Sequence, residues 1–434
     1  MASVRCRSLI ALLSCVSFAA LAQPLPYVAE RHNAAARPPA VSGESSPRLT
    51  IAELVSRIIE AQPDLLAAAQ AVESAEAAVL SSRALPNPRF EWQTGPSRQL
   101  ASGYSGAAQT LIIAQPIENP TLRESRRQVA ESGVEVARQT RQVVRNDIAA
   151  RIKTLASEIE YRQQEALHFA ESLALLEQIR ERVRRRVEIG EAARYELIKA
   201  DAEIVTARQR ARQATLMIDR VRLAIERLAA GRLPAGWSLQ PTWSEALSLL
   251  ELPAAAELRP DRNPELKLLE QRADQAQRSV ALARASVVPA VDLIVSRNRE
   301  PDLSKNTVGL AVSVPVFDQR QGPIAQARAD AARARTLLDG RRIELAQELL
   351  MARKTLEMAL SRVRGLSQGA LREAESAARV AEAAWQFGER GILDVLDAQR
   401  VLRGLRADLI QAQFESHAAL IEIERLEGRY ADDS

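Results

Sequence analysis

The sequence predicts a mainly α-helical fold with a smaller β part, built from two copies of one structural unit. Three observations support this prediction: a repeat of about 200 residues, two very long helical stretches without proline, and a pair of short alternating runs in each copy. Only 3% of the residues are aromatic, and alanine, leucine, arginine and glutamate are abundant. This composition is typical of long helices that pack through small side chains.

The repeat appears when the chain is shifted against itself by about 200 residues. Pro63 then falls on Pro264, and Gly190 falls on Gly388. Each copy has the same order: a short helix after a proline, two strand-like runs, a very long helix, a glycine-marked turn and a returning helix. The chain is therefore predicted to be an internal duplication.

The strand-like runs lie at 87–93 and 108–117 in the first copy and at 288–296 and 307–317 in the second. In the last run, Val308, Leu310 and Val312 share one face, while Gly309 and Ala311 share the other. One such face can meet lipid while the other lines a lumen. An isolated pair of amphipathic strands fits an ordinary soluble hairpin equally well.

The long helices are predicted at 122–187 and 324–387, and each extends about 100 Å at 1.5 Å per residue. A helix of that length cannot be buried in a compact domain, so it belongs to a coiled coil or a tunnel wall. The returning helices, 194–228 and 392–426, are shorter than their partners. The short helices at 264–284 and 63–83 supply the missing lengths.

The domain organisation follows from these elements. Residues 1–22 read as a secretory signal peptide, and 23–48 as an extended leader rich in proline, alanine and serine. The first repeat covers 49–232 and begins at a capping box formed by Thr50 and Glu53. A proline- and tryptophan-bearing equatorial insert covers 233–262, and the second repeat covers 263–430.

The signal peptide has one alternative, in which Cys15 becomes the lipidated first residue. With cleavage after Ala22, Cys6 and Cys15 are both removed, which fits an oxidising compartment and excludes thiolate chemistry.

Composition and motifs argue against enzymatic and nucleic-acid functions. The formal charge is only +4, with basic and acidic residues interspersed along helix faces, so no nucleic-acid partner is expected. His32, His168 and His417 are far apart and lack neighbouring ligands at metal-binding spacing. The sequence offers no phosphate-binding glycine loop or nucleophile elbow. We therefore expect no catalytic residue, no cofactor and no resident metal.

Four strands cannot close a barrel, and open strand edges are not stable in hydrocarbon because unpaired backbone groups there cost several kcal/mol each. If the strands span a membrane, several chains must share one barrel. The sequence alone does not give the number of chains.

The run GERGILDVLDA at 388–398 closely resembles the periplasmic tip of the second helical hairpin in TolC-type outer-membrane efflux proteins. Residues 190–200 resemble the tip of the first hairpin, and QPI at 115–117 and VPVF at 314–317 resemble the ends of the family's strands. The resemblance covers about residues 49–426. VPVFDQRQG at 314–322 and QPIE at 115–118 are most similar to members that work with cobalt-zinc-cadmium-type pumps.

The resemblance implies a homotrimer with long antiparallel hairpins forming a periplasmic tunnel and four strands per protomer forming a twelve-stranded barrel in the outer membrane. It also implies a periplasmic adaptor and an inner-membrane pump of the resistance-nodulation-division class as partners, with outer-membrane lipid around the barrel. The chain would be the passive exit duct of this system. Heavy-metal cations, drugs and secreted proteins all remain open as substrates.

The resemblance places a channel gate at the hairpin tips. Asp394 and Asp397 stand at the constricting acidic ring, Arg390 at a link between hairpins, and Glu196 at the acidic position of the first hairpin. Trp385 replaces a linking tyrosine.

Tyr195 is a second departure, since it replaces a small polar residue. Gly190, Gly388 and Gly391 mark the turns where an adaptor would dock. Two other classes of protein remain as alternatives: a periplasmic coiled-coil scaffold, and a porin-like channel that works alone.

Overall fold

The computed structural model describes residues 47–98, 103, 105–240 and 259–431. The chain divides into a short unit, Met1–Ser45, and a large unit, Ser46–Ser434, and all described elements belong to the large unit. The predicted signal peptide, nearly all of the leader, most of the equatorial insert and His32 lie outside the described residues.

The helices follow the predicted order. They are α1 (Ile51–Ala61), α2 (Pro63–Arg83), α3 (Pro120–Glu188), α4 (Arg194–Leu228), α5 (Pro264–Ala285), α6 (Gln321–Gly365), α7 (Leu371–Gln386) and α8 (Ile392–Leu426). With 69 residues, α3 extends about 100 Å. No helix in the described ranges is both long and apolar enough to cross a membrane.

The short helices complete the returning helices, as their lengths predict. Along α3, α2 lies beside the first part, where Arg138 contacts Glu76 at 3.1 Å. Further along α3, the neighbouring helix is α8 instead of α2, and the Asn146 amide donates to the Arg425 carbonyl at 2.9 Å. The helices α4 and α5 also pack against α3, α4 near its end, where Arg180 and Asp201 are 2.6 Å apart, and α5 near its start, where Gln275 lies beside Gly133.

The strands form one four-stranded antiparallel sheet and one short parallel pair. The sheet has the order β2-β3-β5-β6 and contains β2 (Arg89–Arg98), β3 (Ser105–Ile117), β5 (Ala290–Arg299) and β6 (Ser304–Ser313). The parallel pair joins β1 (Arg48–Leu49) to β4 (Ser238–Leu239). The β2 strand and the β6 strand each have one neighbour within the described part of the chain, so both outer edges of the sheet are open.

The strand boundaries in the second copy differ from the prediction. The polar stretch at 297–306 was expected to be a loop, yet β5 continues to Arg299 and β6 begins at Ser304, because ladder hydrogen bonds join backbones whatever the side chains. The β6 strand also ends at Ser313, four residues early. Pro315 has no N–H to donate, and the Val316 N–H bonds back to the Val314 carbonyl at 3.0 Å.

The second long helix is interrupted, whereas the sequence predicted one continuous element. A single π-helical turn, Leu366–Ala370, separates α6 from α7. Gly365 and Gly369 flank and occupy this turn, and glycine weakens the regular helix because it adds backbone freedom without side-chain contacts.

The main core lies where α1, α3 and the end of α4 meet the β1–β4 pair. Leu54, Ile58, Ile152, Ile225 and Trp237 are all buried there. The predicted capping box at the start of α1 is present, with Glu53 N–H donating to the Thr50 hydroxyl at 3.2 Å and Thr50 N–H donating to the Glu53 carboxylate at 2.9 Å. The Thr50 backbone bond leads the interactions that lower the pKa of Glu53.

Candidate functional site

Both hairpins turn through the same glycine motif. At the first tip, Gly190 has φ +81°, and the next residue, Glu191, donates its N–H to the Arg186 carbonyl at 2.8 Å. At the second tip, Gly388 has φ +77°, and Glu389 donates to the Ala384 carbonyl at 2.9 Å. This is the Schellman arrangement that ends a helix with a left-handed residue, which glycine adopts without a steric cost.

Gly391 has a different structural position from Gly190 and Gly388. It is the N-cap of α8, with φ −78° and ψ 161°, an extended conformation open to any residue. A Cβ built on Gly391 would meet no described atom within 4 Å. The backbone conformation of the chain therefore does not require glycine at this position.

The two tips pack against each other through a shared apolar core. Val183 of α3, Trp385 of α7, and Ile392 and Val395 of α8 are each at most 3% exposed. Burying such side chains contributes roughly 1.5 to 3 kcal/mol each. The two hairpin ends of the chain thus form one packed unit.

Trp385 is part of the joint between the hairpins. The guanidinium of Arg186 lies 5.6 Å from the centre of its ring, and Arg186 Nη1 donates to the Trp385 carbonyl at 3.1 Å. Nearby, Arg182 pairs with Glu382 at 2.9 Å. Trp385 therefore replaces the expected tyrosine with a buried ring and a cation–π contact.

The two acidic residues of the predicted gate lie on the exposed face of α8. Asp394 and Asp397 are three residues apart in the first two turns, so they share a face, while Val395 and Leu396 are buried. Arg390 pairs with Asp394 at 3.4 Å within the same hairpin. Asp394, in the first turn, also gains from the positive end of the helix dipole.

The first hairpin contributes Glu196 in the first turn of α4. Its side chain is partly exposed, and no ion pair involves it among the described residues. The adjacent Tyr195 ring is 57% exposed. Within this chain, the Glu196 carboxylate is therefore accessible to solvent.

A charged link above the tips was not predicted from the sequence. Arg400 of α8 donates to Glu203 of α4 at 2.6 Å, and Arg403 lies 3.5 Å from the other carboxylate oxygen. Arg400 also pairs with Asp397 at 2.9 Å. This cluster connects the predicted gate residue Asp397 to the first hairpin. The only signal in the sequence was helical spacing, since Arg400 follows Asp397 by three residues.

Burial and neighbouring charges shift the pKa values of Glu203 and Arg403 in this link. Burial opposes ionisation of Glu203, but the Arg400 hydrogen bond and the charges of Arg400 and Arg403 outweigh it, so the pKa of Glu203 lies below its usual value. Burial and the nearby cations Arg210 and Arg400 lower the pKa of Arg403, which Glu203 partly offsets. The link borders a recess of about 370 Å³ between α3, α4 and α8.

The two described histidines are buried on helices. His168 Nε2 lies 3.0 Å from the Arg403 carbonyl, and burial lowers the pKa of His168 and of His417. Within the ranges that the structure describes, no three His, Cys, Asp or Glu side chains are placed to hold a metal ion.

Away from the hairpin tips, the four-stranded sheet has two unlike faces. Phe90, Ile113, Val295 and Val308 are cross-strand neighbours on one face. The other face mixes polar and small side chains with Ile112 and Ile294, and it carries an ion pair between Arg89 and Asp292 at 2.9 Å. The predicted alternation is clearest in β6, where Val308, Leu310 and Val312 share one face and Gly309 and Ala311 the other.

Comparison with known proteins identifies relatives over most of the chain. The family model for outer membrane efflux proteins matches residues 54–231 and 258–429. The cobalt-zinc-cadmium resistance protein CzcC of Cupriavidus metallidurans is 26% identical over 404 residues, covering 93% of this chain and 95% of that protein.

Solved structures share the fold. The outer-membrane channel OprN superposes with a TM-score of 0.75 at 19% identity, covering 87% of this chain and 89% of OprN. CusC, whose structures address folding and transmembrane channel formation, gives a TM-score of 0.74 at 16% identity, covering 89% of this chain and 95% of CusC.

Proposed function

This chain belongs to the outer membrane efflux protein family, and we propose that it is the protomer of a homotrimeric exit duct for divalent heavy-metal cations. The duct is a passive channel without a catalytic centre. It receives its cargo from an inner-membrane pump of the resistance-nodulation-division class through a periplasmic adaptor.

The open edges of the four-stranded sheet carry the trimer proposal. Strands β2 and β6 each lack a second neighbour in the described chain, and unpaired backbone groups cannot face hydrocarbon. Pairing β6 of one chain with β2 of the next satisfies both edges at once. Three chains of four strands give a twelve-stranded barrel, wider than the eight-stranded size that side chains fill.

Two observations support divalent metal cations as the cargo. CzcC, similar over nearly the whole chain, is a cobalt-zinc-cadmium resistance protein. In a trimer, Asp394 and Asp397 would form two rings of three carboxylates at the tunnel entrance, and such rings attract cations. The metals would pass through without a resident site.

The hairpin tips support docking of an adaptor. Ile189, Tyr195 and Phe387 are more than half exposed at the two tips, and Phe387 is 82% exposed. Apolar side chains grouped at the end of a helical bundle fit a protein partner better than water.

Growth of a deletion strain tests the cargo. Removal of the gene should increase sensitivity to cobalt, zinc and cadmium, and a plasmid copy should restore resistance. Increased sensitivity to drugs alone, or a loss of protein secretion without metal sensitivity, would replace the metal proposal with one of those functions.

Crosslinking tests the adaptor. A cysteine replacing Phe387 should crosslink to the adaptor in intact cells, whereas a cysteine replacing Leu337 on α6, far from the tips, should not. Equal crosslinking from both positions, or none from the tip, would contradict docking at the hairpin ends.

A further inference from the structure

The register of the sheet sorts its apolar face into rows. The first row is Phe90, Ile113, Val295 and Val308; the second is Trp92, Leu111, Arg297 and Asn306; the third is Thr94, Gln109, Arg299 and Ser304. Successive rows are two residues apart along each strand, or about 6.6 Å. The second and third rows lie nearer the β2–β3 and β5–β6 connections than the first.

Polarity changes abruptly along these rows. The first row is entirely apolar, the second mixes Trp92 and Leu111 with Arg297 and Asn306, and the third has no apolar member. Tryptophan is enriched where a membrane-spanning sheet leaves the hydrocarbon, because its ring is apolar and its N–H is polar. The register therefore places the edge of the hydrocarbon at the row of Trp92.

Arg297 and Arg299 are both exposed on this face, just beyond that edge. Neither forms an ion pair with any described residue. The nearest strand carboxylates, Glu91 and Asp292, lie on the opposite face by register parity, and Glu300 follows β5 in the turn. Two uncompensated cations thus stand side by side above an apolar surface.

The two arginines border a defined recess. It has a volume of about 200 Å³, and its lining is Trp92, Gln109, Leu111, Arg297 and Arg299. The recess lies over β2, β3 and β5 of a single chain, so it exists without a neighbouring protomer. Its floor is apolar and one wall is cationic.

We propose that Arg297 and Arg299 bind the phosphate of a lipid headgroup at the outer surface of the membrane. The proposal rests on the proposed function, in which the sheet spans the outer membrane. The helices leave the sheet at its other end, so this row belongs to the leaflet far from the periplasm.

The chemistry of the recess matches such a lipid. A guanidinium donates two parallel hydrogen bonds to phosphate oxygens, a geometry that lysine cannot supply. The acyl chains would follow the apolar row of Phe90, Ile113 and Val295 below. Each arginine at an anionic lipid surface strengthens binding about fivefold, so the pair should enrich phosphate-monoester lipid about thirtyfold.

Fluorescence quenching by brominated lipid tests the proposal. The full protein is reconstituted in phosphatidylcholine vesicles in which a tenth or so of the lipid is either dibrominated phosphatidic acid or dibrominated phosphatidylcholine. Quenching of Trp92 is obtained as the difference between the wild-type protein and Trp92→Phe. We expect the brominated phosphatidic acid to quench Trp92 far more than an equal fraction of brominated phosphatidylcholine.

Charge variants distinguish binding at this site from a general electrostatic attraction between the protein and anionic lipid. The double variant Arg297→Gln with Arg299→Gln should abolish the excess quenching, whereas Lys305→Gln, at the same height on the opposite face, should preserve it. Inorganic phosphate at millimolar concentration should not remove the excess, since the acyl chains anchor the lipid. Displacement by inorganic phosphate would instead assign a free-phosphate site and overturn the lipid proposal.

The quenching experiment distinguishes a failure of the lipid-site proposal from a failure of the proposed function. If brominated phosphatidylcholine does not quench Trp92 at all, the sheet is not in the bilayer and the proposed function is wrong. If it does quench Trp92, and phosphatidic acid quenches no more strongly, the sheet spans the bilayer and the lipid site alone is overturned.

Discussion

Arg400 of α8 and Glu203 of α4 join the two helical hairpins, with Nη2 and Oε1 2.6 Å apart. Arg400 lies about 12 Å along α8 from its start, and it follows Asp397 by three residues. Glu203 is only 19% exposed, and Arg403 approaches it from the same helix. A movement of one hairpin against the other at this height would separate the pair, so we predict that it acts as a latch between the two hairpin tips.

Removing the latch should loosen the tip. Glu203→Gln leaves Arg400 and Arg403 without their carboxylate, and we expect it to destabilise the packed tip by about 1 to 2 kcal/mol. The channel reconstituted in a planar bilayer should show a higher open probability. The control is Glu177→Gln, which breaks a pair with Arg208 inside the first hairpin. Equal effects of both variants would contradict the latch.

The carboxylates of α8 should control cation block. Replacing Asp394 and Asp397 by alanine would remove both rings of charge of the proposed trimer, and we expect block by Co²⁺ to weaken about tenfold, equivalent to ~1.4 kcal/mol. Single-channel recording at graded metal concentrations measures it. Replacing Asp330 and Asp339 of α6 makes the same charge change away from the tips. Unchanged block in the tip variant would exclude the gate.

Alanine variants of the tip glycines should distinguish positions where glycine is needed for folding from positions where it is needed for docking. Gly190→Ala and Gly388→Ala force a Cβ into a left-handed backbone conformation, at a cost of roughly 1 to 2 kcal/mol each. Gly391→Ala should lower the free energy of unfolding by less, on the order of 0.5 kcal/mol, because its φ is negative and only the N-cap preference for glycine over alanine is lost. Denaturant unfolding measures all three. If metal resistance nevertheless falls in Gly391→Ala, glycine there is needed for the partner; unaltered resistance would exclude that need.

Stability should fall in mildly acidic solution. Burial lowers the pKa of His168 below 6.5, although the Arg403 carbonyl opposes the shift. The unfolded chain therefore takes up a proton at higher pH than the folded chain does. Stability is lost as the pH falls below about 6.5, by at most about 1.4 kcal/mol per pH unit for each such histidine.

Thermal unfolding between pH 7.5 and 5.5 measures this dependence. His168→Gln retains a donor for the Arg403 carbonyl but cannot titrate, so its unfolding temperature should change less with pH than that of the wild-type protein. An identical slope would show that His168 does not contribute.

Local signals made much of the fold predictable. The bounds 63–83, 194–228 and 392–426 were predicted correctly, because a proline or a glycine turn stands at an end of each helix. The alternation of the strands likewise gave the two faces of the sheet. Such signals act within a few residues, so one sequence is enough to read them.

Other features depended on contacts that no local pattern reports. The continuation of β5 through Arg297 and Arg299 follows from pairing with β3 and β6, because a partner strand stabilises polar residues in the ladder. The π-helical turn at Leu366–Ala370 was invisible for a similar reason. Two glycines permit an extra residue in a turn without requiring it.

The sequence by itself determined the duplication, the bounds of the short and returning helices, the amphipathic strands and the positions of Asp394 and Asp397 on one helical face. Only the tertiary structure decided that Arg400 meets Glu203, that Trp385 is buried against Arg186, and that two unpaired arginines lie beside Trp92. Periodicity fixes which residues share a face of one element. Which faces of different elements meet depends on how the helices and strands pack, and that is set by the whole chain.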